Sequence, residues 1–485
     1  MISMVSLFCN CLSFDMRFYN TLTKSKEEFQ SLEPGKVGMY TCGPTVYSFI
    51  HIGNIRAYVF SDTLRRVLEN AGYEVRLIKN ITDAGHLTND DIAQGDSGED
   101  KIEKKARAEK KTPTEITLFY EEYFHQTEEA MNILPAHYFP RATAHVEQMI
   151  KLIEILIAKG HAYEKNGNVF LDVTTFPDYG KLSGNTLENL KVGARLEEHP
   201  DKKHPWDFAL WLKAPAGHIM HWPSPWSEGY PGWHIECSAM SMEYLGDTLD
   251  IHTGGEDNIF PHHEAEIVQS EGITDKPFVR FWLHARHILV SGEKMSKSKG
   301  NFYTLEDIKM QGFSPMDFRV LLLGSHYRSQ MNFTWDSLMQ AKKNKESLFV
   351  TRKRITNTLL SEDISSPLNG ENEYKKIEEA MNDDLNSPEA LSLALALCKK
   401  INLALDQEIP LHLTTLRLIF EKIFFLFGLK EEEENIPEEV RLIAKDRDKA
   451  RAEKNFTESD RLRDLIITHG YKIEDTQNGY EIRKI

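Results

Sequence analysis

In the stretch Pro261-His-His-Glu-Ala-Glu, His262 and Glu266 stand four residues apart. On a helix that spacing puts imidazole and carboxylate on one face, and the proline suits a first helical turn. Nitrogen and oxygen donors arranged this way make half of a transition-metal site. A lone His/Glu pair is better explained by a solvated helix face with a capping interaction, so the reading needs more ligands. The available thiols are Cys237, in Trp233-His-Ile-Glu-Cys-Ser, and Cys42, just after a predicted strand. A free cysteine is most often a small buried hydrophobe. Spacing alone does not assemble Cys42, Cys237, His262 and Glu266, and none of them forms a Cys-x-x-Cys pair. His252, His262, His263, His284 and His287 also crowd into one short region. A site beside candidate ligands explains such a cluster better than chance does, with about two of the five expected to touch chemistry.

Phosphate chemistry is offered at two other places. His51-Ile-Gly-Asn stands where a loop enters a predicted helix. There Gly53 lets the backbone approach a ligand closely, and the helix N-terminus favours an anion. Glycine at a helix start is common, so these four residues alone mark little. Lys294-Met-Ser-Lys-Ser-Lys-Gly-Asn places Lys294, Lys297 and Lys299 among serines. Lysine serves a polyphosphate as a movable point charge, although composition alone reads the run as a solvated basic loop.

The elements that must position these residues are legible as a pattern. Residues 37–47 are apolar and β-branched and end in Gly43-Pro44, a strand followed by a turn. Residues 53–71 carry helical periodicity through Val59, Phe60, Leu64, Val67 and Leu68, closed by Gly72. Residues 73–81 read as a second buried strand. Strand, helix, strand is one unit of a parallel sheet. Ligands of such sheets sit at the carboxyl ends of the strands, which makes loop 40–54 the expected site. Residues 90–225 interrupt the pattern with a charged helical run (99–111), a helix (143–159) and a short β region (168–173). Alternation resumes over 247–290. Past 301 the chain turns helical, with amphipathic runs at 305–324, 335–357, 371–404 and 411–428. Breakers at Ser365-Ser366-Pro367 and Asn369-Gly370, then 431–437, mark linkers. A helical run (438–470) and two short strands near 471–473 and 480–482 close the chain.

The expected fold is α/β: a Rossmann-like parallel-sheet catalytic domain split by an insertion, then an α-helical domain and a small α+β module. The expected boundaries are 1–15 (extension), 16–95 (first half of the sheet domain), 96–225 (connective insertion), 226–300 (second half, with the lysine loop), 301–345 (linking helices), 346–430 (helical domain) and 436–485 (terminal module). A chain of 485 residues with 41% hydrophobic and 27% charged residues is an ordinary globular protein of several domains. Its net charge of −16 excludes indiscriminate coating of nucleic acid but not a local basic surface. Cys9, Cys11, Cys42, Cys237 and Cys398 are too scattered for a disulfide framework. No run approaches the ~20 apolar residues of a membrane helix. Residues 1–14 carry no basic region or cleavage site of a signal peptide. The expected location is cytoplasmic, with the folded part starting near Met16.

Taken together, His51-Ile-Gly-Asn and Lys294-Met-Ser-Lys-Ser, in that order and roughly 240 residues apart, resemble the signature pair of class I aminoacyl-tRNA synthetases. The flanking text is similar to the cysteinyl family within that class: Tyr40-Thr-Cys-Gly-Pro-Thr-Val-Tyr, Asn80-Ile-Thr-Asp, Pro231-Gly-Trp-His-Ile-Glu-Cys-Ser-Ala-Met, Asp250-Ile-His-Thr-Gly-Gly-Glu-Asp and Phe260-Pro-His-His-Glu-Ala-Glu. The similarity runs from about Met16 to the end of the chain, including Ser459-Asp-Arg-Leu-Arg-Asp-Leu.

The resemblance implies one zinc ion per chain on Cys42, Cys237, His262 and Glu266. It implies activation of cysteine with ATP and Mg2+ through an adenylate, then transfer to tRNA(Cys). Zinc would take the substrate thiolate as a ligand and bind serine's harder, less acidic hydroxyl poorly. Apolar contacts alone would separate near-isosteres by only ~10²-fold, so no editing domain is expected. Trp233, Cys42 and Thr82 would face cysteine. His51, Gly53, Asn54, Asp257, Lys294 and Lys297 would face ATP, with His51, Asn54, Lys294 and Lys297 catalytic. Asn54 departs from the family's usual histidine: it can donate a hydrogen bond but cannot titrate. The helical region and terminal module would read tRNA, with local positive charge at Lys342, Lys343, Lys345, Arg352, Lys353, Arg354, Lys449, Arg451, Arg461 and Arg463. A monomer without membrane association is expected. Three alternatives stay open: a ligase joining cysteine to a small amine, a catalytically dead tRNA-binding paralogue, and a zinc hydrolase.

Overall fold

The computed structural model describes residues 16–84, 87–89, 97–189, 199–295, 300–358, 368–431, 437–476 and 479–484. Its centre is a four-stranded parallel sheet in the order Val279–Ala285, Leu249–Gly255, Lys36–Thr41, Glu74–Lys79. Chain order therefore runs outward from the middle in both directions. The two central strands, though more than two hundred residues apart, end side by side at Thr41 and Thr253. That reversal is a topological switch point, where open α/β sheets bind ligands beyond the strand ends.

Strand Lys36–Thr41 buries Val37, Met39, Tyr40 and Thr41, as a strand covered on both faces must. Helix Ile52–Asn70 follows it, its apolar stripe against one sheet face with Ile251, Phe281 and Leu283 in the same core. Tyr40, Ile78 and Trp282 meet helices Trp233–Leu245 and Glu264–Thr274 in a second core. The insertion holds more β structure than its sequence pattern indicates. Ala162–Lys165, Asn168–Leu171, Phe208–Lys213 and Gly229–Pro231 form an antiparallel sheet. Phe208–Lys213 is buried along almost its whole length, so it lacks the alternation that betrays a half-exposed strand. The second half of the parallel domain consequently begins with helix Trp233–Leu245.

Other periodic runs resolve into pairs of helices. Gly312 (φ 80°) and Ser314-Pro315 separate Leu305–Met310 from Pro315–Leu323. A turn with left-handed Asp384 and Leu385 separates Glu371–Asn382 from Ser387–Asp406. Trp335–Asn357 and Leu413–Phe427 complete the helical region. Residues 16–429 belong to one compact unit. The second unit, from Lys430 onward, contains helices Glu438–Ala452 and Phe456–Thr468 and the hairpin Tyr471–Thr476/Gly479–Lys484. Val440, Ala444, Ile466, Tyr471 and Ile473 form its own small core.

A buried charge cluster joins the helix that begins at Ile52 to the helical region. Asp62 accepts from Arg66 Nε at 2.8 Å, from Arg319 Nη2, and from the Leu134 amide at 2.8 Å. Burial would raise the Asp62 carboxyl, but Arg319 and Arg66 overcome it and hold the group below its ordinary value. Arg319 also donates to the carbonyls of Phe427 (2.7 Å) and Met131 (2.7 Å), and Arg66 to those of Phe425 (3.0 Å) and Asn132 (2.7 Å). Two guanidiniums thus satisfy the open carbonyl ends of two helices. Arg319→Met leaves Asp62 with Arg66 as its one guanidinium partner and removes the Arg319 bonds to the Phe427 and Met131 carbonyls, and should cost about 3 kcal/mol. The denaturant midpoint of the fluorescence transition should fall accordingly, and an unchanged midpoint would show that the cluster holds nothing.

Candidate active site and metal centre

Cys42 lies one residue beyond strand Lys36–Thr41, where its amide donates to the Thr253 carbonyl at 3.3 Å. Beneath it, Thr41 Oγ1 meets Ser61 Oγ at 2.7 Å and Thr253 Oγ1 at 2.8 Å, tying the two central strands to helix Ile52–Asn70. Cys237 lies in the second turn of helix Trp233–Leu245. His262 and Glu266 come from the segment after strand Leu249–Gly255, which does not start as the sequence pattern indicates. Pro261 falls within a π-type turn, Ile259–His263, and the α-helix begins only at Glu264. The four-residue spacing still works across that junction, with His262 Nε2 3.1 Å from Glu266 Oε1.

These four side chains converge. Cys42 Sγ is 3.9 Å from Cys237 Sγ and 3.8 Å from Glu266 Oε1, and His262 Nε2 is 3.4 Å from Cys237 Sγ. All four ligand atoms lie within 4.8 Å of one another. Zinc at ~2.3 Å from sulfur and ~2.0–2.1 Å from nitrogen or oxygen implies tetrahedral edges of roughly 3.3–3.8 Å. The observed separations sit in and just around that range. A second grouping, Cys42, His252, His263 and Glu266, shares two members with the first. There His252 Nε2 is 2.9 Å from Glu266 Oε2 and His263 Nε2 is 3.2 Å from Cys42 Sγ. Both are hydrogen-bond separations, as expected of groups that orient ligands from behind.

A histidine shell surrounds the four. His234 Nδ1 meets His262 Nδ1 at 2.9 Å, which leaves the Nε2 of His262 directed at Cys237. His263 Nδ1 meets His284 Nε2 at 2.8 Å, and His284 Nδ1 meets Thr21 Oγ1 at 2.8 Å. Of the five clustered histidines, His252, His262, His263 and His284 all come in. His287 instead pairs with Glu256. His234 escaped the sequence reading, and its position beside Trp233 was the available signal.

Electrostatics follow from burial in this polar pit. Burial would raise the Cys237 thiol, but hydrogen bonding from Cys42 and the nearby His262 bring it down to about 6. Cys42 is pushed well up by burial and by the negative charge of Cys237 and Glu266. Burial opposes charge on His262, yet Cys237 and Glu266 raise it to about 10. Burial likewise opposes the Glu266 carboxylate, which His252 and His262 bring down to about 2. The pit thus collects negative charge that a divalent cation would neutralise.

Beside the pit opens a cleft of two chambers. One, of about 390 Å³, is lined by Cys42, Gly43, His51, Gly53, Asn54, Gly255, Glu256, Asp257, Arg286, His287, Lys294 and Met295. Its neighbour, of about 380 Å³, adds Pro44, Thr45, Tyr47, Phe49 and Trp233 and shares Gly43, His51, Asn54 and Asp257. Trp233 stacks on the His262 ring at 4.4 Å, so it joins the chamber to the pit. His51 caps helix Ile52–Asn70: its Nδ1 accepts from the Gly53 amide at 3.0 Å, while Asn54 Oδ1 accepts from the His51 amide at 3.1 Å. With Nδ1 accepting, the neutral ring carries its proton on Nε2 and is a donor there. The Asn54 acceptor is likewise committed, leaving its N–H groups to offer an anion.

Gly53 has a packing role inside the protein. A Cβ there would stand 2.9 Å from the Met295 methyl and 2.8 Å from the His51 ring. Lys294 Nζ lies 3.8 Å from Asp257 Oδ1, both exposed at the cleft mouth. Lys297 and Lys299 lie outside the described residues. Thr82 is 2% exposed, and its hydroxyl donates to Glu236 Oε2 at 2.9 Å. Among the described residues, no helix is long and apolar enough to cross a membrane.

The family model for tRNA synthetases class I (C) catalytic domain matches residues 28–343, and that for the DALR domain matches 376–430. The fold is also that of solved class I enzymes. Mycobacterium tuberculosis methionyl-tRNA synthetase in complex with methionyl-adenylate superposes with a TM-score of 0.57 over 81% of this chain and 88% of that one, at 13% identity. The chain is 42% identical to a cysteine--tRNA ligase of Chlorobaculum tepidum over 484 residues, covering 96% of this chain and 98% of that protein. It is also 42% identical to one of Thermus thermophilus, covering 95% and 98%. The chain belongs to the cysteine--tRNA ligase family of class I tRNA synthetases.

Cys42 and His262 hold protons at neutral pH when no metal is bound, so filling the pit releases protons and affinity falls on acidification. Below about pH 6 Cys237 must lose a proton as well, and the fall steepens. Metal retention titrated from pH 8 to pH 5 should show this. Cys237→Ser should lower metal content severalfold at pH 7.5. Retention independent of pH, or unchanged in Cys237→Ser, would place the metal elsewhere.

Proposed function

We propose that the chain activates cysteine with ATP, as the magnesium complex, and transfers it to tRNA(Cys). Cysteine's carboxylate attacks the α-phosphate, pyrophosphate leaves, and the resulting adenylate passes its acyl group to the terminal ribose of the tRNA, releasing AMP. The observation that carries this reading is the convergence of Cys42, Cys237, His262 and Glu266 beside the cleft that holds both His51 and Lys294. The donor set fits one zinc ion per chain. When bound, zinc supplies a soft Lewis acid that prefers a thiolate to a hydroxyl and so separates cysteine from serine.

The protein's own groups do the rest by position and charge. Trp233, stacked on His262, walls the amino-acid side of the cleft. Thr82, fixed by Glu236, donates its amide to the Pro44 carbonyl at 3.0 Å, next to Gly43, whose amide donates to Asn80 Oδ1 at 2.8 Å. His51 Nε2 and the Asn54 N–H groups present donors at a helix N-terminus, where phosphate oxygens are favoured. Lys294 reaches the same chamber, and with Lys297 it would balance charge on the departing pyrophosphate. Asp257, paired with Lys294, faces the adenylate side. The DALR match and the helical region favour tRNA over a small amine as acceptor.

ATP-dependent attachment of labelled cysteine to tRNA, with serine in parallel, tests the reading. Cysteine alone should be charged. Pyrophosphate exchange without charging would mean that the acceptor is wrong, and charging of serine would remove the metal argument. Lys294→Ala should slow exchange by about 10²–10³-fold while metal content stays constant. An unaffected rate would take Lys294 out of the phosphate site.

A further inference from the structure

The helix that carries His51 and the hairpin that carries Lys294 must sit at a fixed spacing to act on one ATP. The loop 326–329 lies between them. It leads into strand Met331–Phe333, which pairs in parallel with Ile288–Val290, the strand that in turn pairs with Glu293–Lys294. The Ser291 amide donates to the Phe333 carbonyl at 3.1 Å and that of Gly292 to Asn332 Oδ1 at 2.7 Å, so the hairpin turn is fastened to the same strand. The Arg286 amide adds a bond to the Tyr327 carbonyl at 2.8 Å. Wherever loop 326–329 is held, the Lys294 hairpin is held with it.

Two buried charged residues from different elements hold that loop. Arg56, in the second turn of helix Ile52–Asn70, donates through Nη2 to the carbonyls of His326 (3.0 Å) and Ser329 (2.7 Å). Asp384, fully buried in the turn between helices Glu371–Asn382 and Ser387–Asp406, grips it from the helical region. Its Oδ1 accepts from Tyr327 Oη at 2.5 Å and from the Tyr19 amide at 2.8 Å. Its Oδ2 accepts from Arg328 Nε at 2.8 Å and Nη2 at 2.5 Å. The Tyr327 ring meanwhile stacks on Phe60 of the Arg56 helix at 4.4 Å.

Asp384 does this with a backbone φ of 63°, followed by Leu385 at 54°. Two successive left-handed residues without a glycine are disfavoured, Asp less than Leu. The turn therefore keeps a disfavoured shape that aims one carboxylate at four donors. Strain held in place by ligation of this kind marks a functional constraint.

We propose that Asp384 is a positioning residue for cysteine activation. By clamping loop 326–329 against Arg56, it sets the spacing between the His51 helix and the Lys294 hairpin, and it makes that spacing depend on the helical region. The inference rests on the reading that these two motifs share one ATP. Asp384→Asn is the sharpest test, because asparagine adopts a left-handed backbone as readily and keeps Oδ1, while its amide N–H groups would face the Arg328 guanidinium donors.

In cysteine-dependent ATP–pyrophosphate exchange with the full chain, Asp384→Asn should lower kcat/KM for ATP on the order of ten- to a hundredfold. KM for cysteine and metal content should stay within about twofold of the parent. Arg328→Met should do the same, and the double variant should be no worse than either single change. Unchanged ATP parameters in a folded Asp384→Asn protein would overturn the proposal. So would an equal loss of cysteine binding and metal, since a merely structural residue would damage both. His51→Ala and Lys294→Ala report separately on the underlying reading: if neither alters exchange, the ATP assignment fails whatever Asp384 does.

Discussion

The pairing of strand Lys36–Thr41 with strand Leu249–Gly255 is the constraint on which the rest of the site depends. It joins segments more than two hundred residues apart in register, Thr41 opposite Thr253, and brings their carboxyl ends to one edge. Cys42 follows one strand, and the segment bearing His262 and Glu266 follows the other. A one-residue slip would turn every side chain to the opposite face, and Cys42 would leave the pit. Hydroxyl contacts among Thr41, Ser61 and Thr253 fix the register where error would matter most.

Such a pit is costly. His252, His262, His263, Glu266 and Cys237 are almost completely buried, and buried polar groups are tolerated only when bonded or paired. Each histidine answers another group: His234 answers His262, His252 answers Glu266, and His284 answers both His263 and Thr21. The network turns ring nitrogens and carboxylate oxygens toward the centre, where a cation would complete the charge balance. Selectivity built on the hardness of the ligand atom differs in kind from selectivity built on size, since cysteine and serine barely differ in volume.

Beyond the pit, the molecule spends further buried charge on alignment. Asp62 with Arg66 and Arg319, and Asp384 with Arg328 and Tyr327, fasten the helical region to the helix that begins at Ile52 and to the loop behind the Lys294 hairpin. Apolar contacts would supply adhesion at these joints. Guanidiniums that bond through several N–H groups to carboxylates and carbonyls add direction, because their planar geometry tolerates little rotation. Elements that must meet a phosphate chain with their donors in place need that directional control.

The local sequence determined what local physics can determine. The apolar, β-branched stretch over 37–47, the period through Val59, Leu64 and Val67, and the closing Gly72 announce a strand–helix unit with a ligand site at its turn, because each signal is carried by residues within a few positions of one another. Residue types offered thiols, an imidazole, a carboxylate and a lysine run, and only the resemblance to the cysteinyl family gave them metal and phosphate roles. The same reading missed strands Phe208–Lys213 and Gly229–Pro231, one too uniformly buried and the other too short to show alternation. It also ran two helices together across Asp384, although Asn386-Ser387-Pro388 is a local start signal for the second helix. Only the tertiary structure decided that Cys42 and Cys237 lie 3.9 Å apart, that His234 backs His262 and His252 backs Glu266, and that Met295 packs on Gly53. Those are distances between segments whose separation along the chain carries no metric information, and strand order and helix packing fix them.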